Sequence, residues 1–132
     1  LAGERLVVAL ETRDQEQEHS CFSDTTLADL IADQRGILEI WHGQLCPQLH
    51  GPMPVAGCGL GELVQALDPA LAQALEQQLE ATLAAVEAIP APFDQAILGS
   101  DEDPGRRAVL AAVVAFEQQT RLLSALAGRC GY

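Results

Sequence analysis

Two Asp-Pro dipeptides, Asp68-Pro69 and Asp103-Pro104, each stand directly before a long stretch in which apolar residues recur every third or fourth position. Asp caps a helix N-terminus, and proline at the first helical position loses nothing because its missing N–H has no partner there anyway. After the first dipeptide, Leu71, Leu75, Leu79, Leu83, Val86 and Ile89 form one stripe on a helix that Pro90 and Pro92 end. After the second, Val109, Leu110, Val113, Phe116, Leu123 and Leu126 cover a broad face up to Gly128, predicting a mostly buried helix. Two further helices are expected upstream. One, capped by Ser23 or Asp24, runs through Leu27, Leu30, Ile31, Gln34, Ile37, Leu38 and Trp41 to a stop near Gly43; the other runs from Glu4 to about His19. Four such stripes are buried most economically by an all-α, four-helix bundle-like domain.

The 132 residues, 48% of them hydrophobic, fit one domain with one core, so residues 1–132 read as a single helical domain. Between the second and third helices lies a connection, Gly43 to Gly59, dense in Gly and Pro and long for a compact domain. Nineteen acidic residues against seven basic ones, all Arg, set the net charge at -12. That field repels phosphate backbones, and aromatics make up only 4%, so no nucleic acid is expected as a partner. No apolar run approaches about 18 residues, so no transmembrane segment is expected. The start at Leu1 reads as a cut within a longer protein.

Cys21, Cys46, Cys58 and Cys130 have no C-x-x-C spacing. They are compatible with two disulfides in any of three connectivities, or with four buried thiols. A local Cys46–Cys58 bridge would close the Gly/Pro-rich loop, and pairing of Cys21 into that loop is its rival.

One segment breaks the pattern. Glu11 to Ser20 is ten consecutive polar residues, with no side of its own to bury. It reads either as a solvated helix end with intrahelical ion pairs or as the lining of a wet cleft. Within it Glu16 and His19 stand at i and i+3, the spacing by which bundle proteins offer a carboxylate and an imidazole to one metal ion. A di-iron bundle needs two such pairs plus further inward carboxylates, and His50 has no Glu three residues before it. Ser23 and Asp24 read first as helix caps and only second as reactive groups.

The run Asp14-Gln15-Glu16-Gln17-Glu18-His19-Ser20-Cys21-Phe22-Ser23-Asp24 resembles the imelysin family, also called the insulin-cleaving metalloproteinase or iron-regulated protein A group. Looser agreement continues in Gly59-Leu60-Gly61-Glu62-Leu63-Val64, Leu67-Asp68-Pro69-Ala70-Leu71 and Ile89-Pro90-Ala91-Pro92-Phe93-Asp94. The resemblance implies an exported, iron-associated protein of the periplasm or bacterial surface, often lipoprotein-anchored, built from two helical halves of which this is the C-terminal one. Export in turn implies at least one disulfide. The family's G-x-H-x-x-E motif, the basis of its metallopeptidase assignment, is absent here. Its usual S-D-N-T-H continuation reads Ser23-Asp24-Thr25-Thr26-Leu27, with Leu in place of the second His. The resemblance implies a site shared with the N-terminal half, holding iron, another divalent metal, an iron-bearing ligand or a peptide. Glu16 and His19 are the expected metal ligands, and Arg13, Asp14, Glu18, Ser23 and Asp24 the expected ligand-binding residues.

Overall fold

The computed structural model describes residues 2–44 and 57–131. These are all-α. Ala2–Val7 is wound as a π-helix and leads into α1 (Val8–Thr12). After a connector that holds a 3-10 turn at Gln15–Gln17 come α2 (Thr26–His42), α3 (Leu60–Leu67), α4 (Pro69–Glu87), α5 (Phe93–Ala96) and α6 (Pro104–Arg129). The long helices α2, α4 and α6 form the bundle, with α4 packed along both of the others and the π-helical segment and α5 laid against α6.

The Asp68-Pro69 expectation is met. The Asp68 carboxylate accepts from the Leu71 amide at 3.0 Å and also pairs with Arg129. At the second start Pro104 again opens the helix, but the Asp103 carboxylate turns back to accept from the Ser100 amide at 2.8 Å. Gly99, at φ +85, is what lets that turn close, since a side chain there would collide with the Asp103 carboxylate. Gly43, in the left-handed conformation, ends α2 where the sequence places the stop.

Four expectations are corrected. The first helix ends at Thr12, capped by left-handed Arg13, well short of His19, because the polar run has no apolar face to hold it against the core. Asp14 instead accepts from the Glu16 amide at 3.0 Å, giving the backbone an alternative to helix. The α2 cap is Thr25 rather than Ser23 or Asp24, and Asp24 lies at φ 53. The α6 helix is buried along one face only, with Leu110 and Val114 exposed, and it continues past Gly128 to Arg129. Cys21, Cys58 and Cys130 are free thiols, so no disulfide joins the described residues. Cys46, His50 and most of the Gly/Pro-rich connection lie outside the described residues. The two short helices α3 and α5 add to the four expected.

The interior divides into two apolar clusters. Leu6, Leu10, Leu30, Val86, Phe93, Ile97, Val109 and Phe116 build the first. Leu38, Trp41, Val64, Leu75 and Leu79 build the second. Between them lies a polar layer. Gln34, one turn from both Leu30 and Leu38, donates to Gln119 Oε1 at 2.9 Å and to the Leu79 carbonyl at 2.9 Å, and accepts from Gln119 Nε2 at 3.1 Å. Thr82 completes the layer, donating to the Gln78 carbonyl at 2.8 Å. All three side chains are buried. Buried amides that satisfy one another in this reciprocal way fix the register of α2 against α6, since sliding either helix leaves two amides unpaired.

Gln34→Leu leaves Gln119 without a partner and should lower stability by about 1–3 kcal/mol. The double substitution of both glutamines by Leu should recover most of that loss. Denaturant unfolding of the singles and the double tests this, and additive losses would show that the two amides are not coupled.

Candidate functional site

The connector between α1 and α2, residues 13–25, carries every expected site residue. Its far end is pinned to α2. The Ser20 amide donates to Thr26 Oγ1 at 3.1 Å, and the Ser20 hydroxyl donates to Asp29 Oδ2 at 2.5 Å. Thr25 Oγ1 also reaches Asp29, at 3.2 Å, while Arg5 pairs with Asp33 one turn further along α2. The Ser20 hydroxyl foremost, with Thr25, His19 and Arg5 adding to it, holds the Asp29 carboxyl below its ordinary range.

On this frame Arg13, Asp14, Glu16, His19, Ser23 and Asp24 are exposed, and so, completely, is Phe22. Ser23 lies 2.8 Å from Thr25 Oγ1 and donates to the Ser20 carbonyl at 3.3 Å, a turn-stabilising role. Because Glu16 lies in the middle of a short 3-10 turn and His19 follows an extended residue, the two do not share a helix face, and no hydrogen bond or ion pair joins them. Leu27, where the family signature has its second His, packs against the first apolar cluster.

Glu18 behaves differently from its neighbours. It is extended, at φ -76 and ψ 150, and turns inward to only 3% exposure. Neither of its carboxylate oxygens has a hydrogen-bond partner. Loss of solvent pushes its pKa up; the nearby Thr26 hydroxyl opposes that, while the negative charges of Asp24 and Asp94 add to it. Asp94, on α5, likewise has a buried oxygen, Oδ1, without a partner. Asp29, Asp33, Arg5 and Asp94 were not singled out from the sequence. Asp29 and Asp33 stand one turn apart on the α2 face that meets Ser20 and Arg5, which is a signal that spacing could carry. Asp94 comes from a different part of the chain, and only the fold brings it near.

The donors are mostly carboxylate oxygens with one imidazole, a set suited to hard or borderline cations. Among the described residues no three His, Cys, Asp or Glu side chains converge in a way that could hold a metal ion. Glu16 and His19 therefore do not make a complete centre alone.

A second polar constellation sits at the other end of α2. The Trp41 indole N–H donates to Glu76, and His42 Nε2 lies 2.8 Å from the other oxygen of the same carboxylate. A groove of about 640 Å³ runs beside them, lined by Trp41, Gly61, Gln65, Gln73 and Glu76. Gly61 is required there, because a Cβ would stand 2.9 Å from the indole ring. The His42 hydrogen bond, backed by Trp41, draws the Glu76 pKa below its ordinary value.

No curated protein matches the chain. The imelysin family model matches residues 1–123. Among the described residues no helix is long and apolar enough to cross a membrane.

A carboxyl whose pKa is lowered by folding stabilises the fold above its unfolded value and loses that contribution as pH falls through its folded one. Trp41 emission should therefore change as Glu76 protonates, at a pH below the ordinary glutamate range, and melting temperature should fall over the same interval. In Glu76→Gln the emission step should vanish; its persistence would show that another group reports through Trp41. With the polar connector, its paired anchors and the match across nearly all of its length on the page, the chain belongs to the imelysin family.

Proposed function

We propose that this domain is the C-terminal half of an exported, iron-associated protein and supplies one wall of a metal or iron-ligand site shared with an N-terminal half. The observation that supports this most directly is the connector itself. Arg13, Asp14, Glu16, His19 and Asp24 stand exposed on a single connector whose far end is fastened to α2 through Ser20, Thr25 and Asp29. Exposed groups on a fastened scaffold are cheap to present to a ligand, because little conformational entropy remains to be lost on binding. Glu16 and His19 are the metal ligands in this reading, with Asp14 and Asp24 as neighbouring acceptors and Arg13 as counter-charge. Clefts between domains are common ligand sites, and the second half would complete the coordination that two donors here leave open. The periplasm or bacterial surface is the proposed location, with any lipid anchor on the N-terminal side.

The family's peptidase classification favours a second reading, in which the protein is a metallopeptidase whose metal sits mainly on the N-terminal half. Such an enzyme needs an open metal position and a water-activating base. This chain lacks the G-x-H-x-x-E motif and would serve there in binding rather than in bond cleavage. A third role, as a scaffold for the partner half, needs no metal.

Titration with ferric and ferrous iron, zinc and manganese, on this chain alone and together with the N-terminal half, distinguishes the three. Binding at the connector only in the pair supports the shared site, chelator-sensitive peptide hydrolysis supports the enzyme, and no binding leaves the scaffold. His19→Ala should weaken binding by the pair on the order of tenfold, about 1.4 kcal/mol, with an unchanged melting curve. Equal affinity of the variant and the native pair would remove His19 from the site.

A further inference from the structure

The carboxylate of Glu76 is oriented at both oxygens, by the Trp41 indole N–H at one and by His42 Nε2, at 2.8 Å, at the other. The His42 bond, backed by Trp41, keeps the Glu76 pKa below its ordinary value, so at neutral pH the group is an ionised acceptor. The proton of that bond therefore belongs to His42. This fixes the neutral imidazole as the Nε2–H tautomer and leaves Nδ1 as an acceptor. With the imidazole neutral, neither donor cancels the negative charge, and 39% of the Glu76 side chain remains exposed to a ligand.

Two grooves meet at this carboxylate. One, of about 640 Å³, runs along the start of α4 over Pro69, Ala70 and Ala72. The other, of about 540 Å³, is lined by His42, Gln44 and Glu62. Trp41, Gly61 and Glu76 line both, so the two adjoin as one trough. Its chemistry is graded along its length. Small and apolar residues floor the α4 end, and hydrogen-bond acceptors crowd the other. No Arg lines either part and the chain contains no Lys, so no basic side chain in the trough answers the charges of Glu62 and Glu76.

We propose that this trough binds a linear aliphatic amine, its ammonium group set among Glu76, Glu62 and His42 Nδ1 and its methylene chain laid over Pro69, Ala70 and Ala72. An ammonium has three donors and no acceptor, which complements a wall of carboxylates, an imidazole lone pair and the Gln44 side-chain carbonyl. A carboxylate or phosphate ligand is repelled by both glutamates and by the net charge of -12. A metal ion finds no three His, Cys, Asp or Glu side chains converging among the described residues. A neutral polyol satisfies the acceptors but leaves the charge unanswered and gains little from the apolar floor. Because Trp41 and His42 already hold Glu76 in place, little ordering of the charged end remains to oppose binding. An alkylammonium group comes from two sources, a free polyamine or a lysine side chain of another polypeptide. The trough stands at the opposite end of α2 from the connector and uses none of its residues, so this site is independent of the shared site proposed above.

The test uses the whole chain. Trp41 is its one tryptophan and lines the trough, so intrinsic emission reports occupancy. Putrescine, spermidine and a lysine capped at both ends are titrated separately at matched ionic strength, with 1,4-butanediol as the uncharged counterpart of putrescine. At least one amine should change the emission saturably, with one bound per chain, while butanediol does not. A response to the free amines alone supports the proposal with a polyamine as ligand, and a response to the capped lysine supports it with a lysine side chain as ligand. Glu62→Gln, at an exposed position, should weaken the amine about tenfold with an unchanged melting curve. Glu102→Gln, equally exposed but lining neither groove, should bind as the native chain does. In Glu76→Gln calorimetry should show binding lost. Should that variant fail to fold, the comparison of Glu62→Gln with Glu102→Gln decides. Emission indifferent to every amine, an equal response to butanediol, or equal weakening in the Glu62 and Glu102 variants overturns the proposal. The last of these would mark diffuse attraction to the net negative charge.

Discussion

The reciprocal amide pair between Gln34 and Gln119 is the contact on which the rest of the domain is set out. It is the polar layer that keeps one apolar column from being continuous, and so it decides which residue of α2 lies opposite which residue of α6. Apolar packing alone is tolerant of small slips, because Leu against Leu costs little to exchange. Two buried amides are not tolerant in that way. With the register fixed, Asp29 and Asp33 are carried to the end of the bundle where Ser20 and Arg5 meet them, and Trp41 to the end where Glu76 waits.

Much of the helical framework was legible because each long helix carries both a stripe and a stop signal. Asp68 and Gly43 act as their residue types predict. The apolar run Leu6-Val7-Val8-Ala9-Leu10 suggests a helix that carries on into the polar residues, whose own content gives it nothing to pack. Arg13 in the left-handed region ends it, and a left-handed arginine has no sequence signature comparable to that of glycine. Leu60, Leu63, Val64 and Leu67 of α3 carry helical spacing, but two turns beside a Gly/Pro-rich stretch look like loop in sequence. The α5 helix is one turn and has no periodicity to read.

The candidate site divides along the same line. Which residues are chemically capable was visible in composition, since a run of acids around one imidazole is unusual in an otherwise apolar chain. Which way each one points was not. Glu16 and Glu18 are two apart and look alike in sequence, yet one faces solvent and the other the interior, because the connector passes from a turn into extended backbone between them. One of the negative charges acting on Glu18, that of Asp94, comes from a distant part of the chain, a relation no local pattern can express. Leu27 completes this contrast. Its replacement of a family histidine loses an imidazole but adds an apolar contact to the first cluster, so the change is felt in packing.

Arg106 has a consequence for how this domain can move. Its guanidinium is almost fully buried and is bonded at once to the carbonyls of Leu10, at 2.8 Å, and of Ile97, at 2.6 Å. Peeling the N-terminal segment away would take the Leu10 carbonyl from a buried guanidinium that Asp101 and Ile97 still hold, and that penalty arrives whole, with the first contact broken, instead of accumulating gradually. The segment is thus held by a latch rather than by a slope. Its two ends, one just before the acidic connector and the other just after α5, behave as one mechanical unit with the long helix that carries the latch.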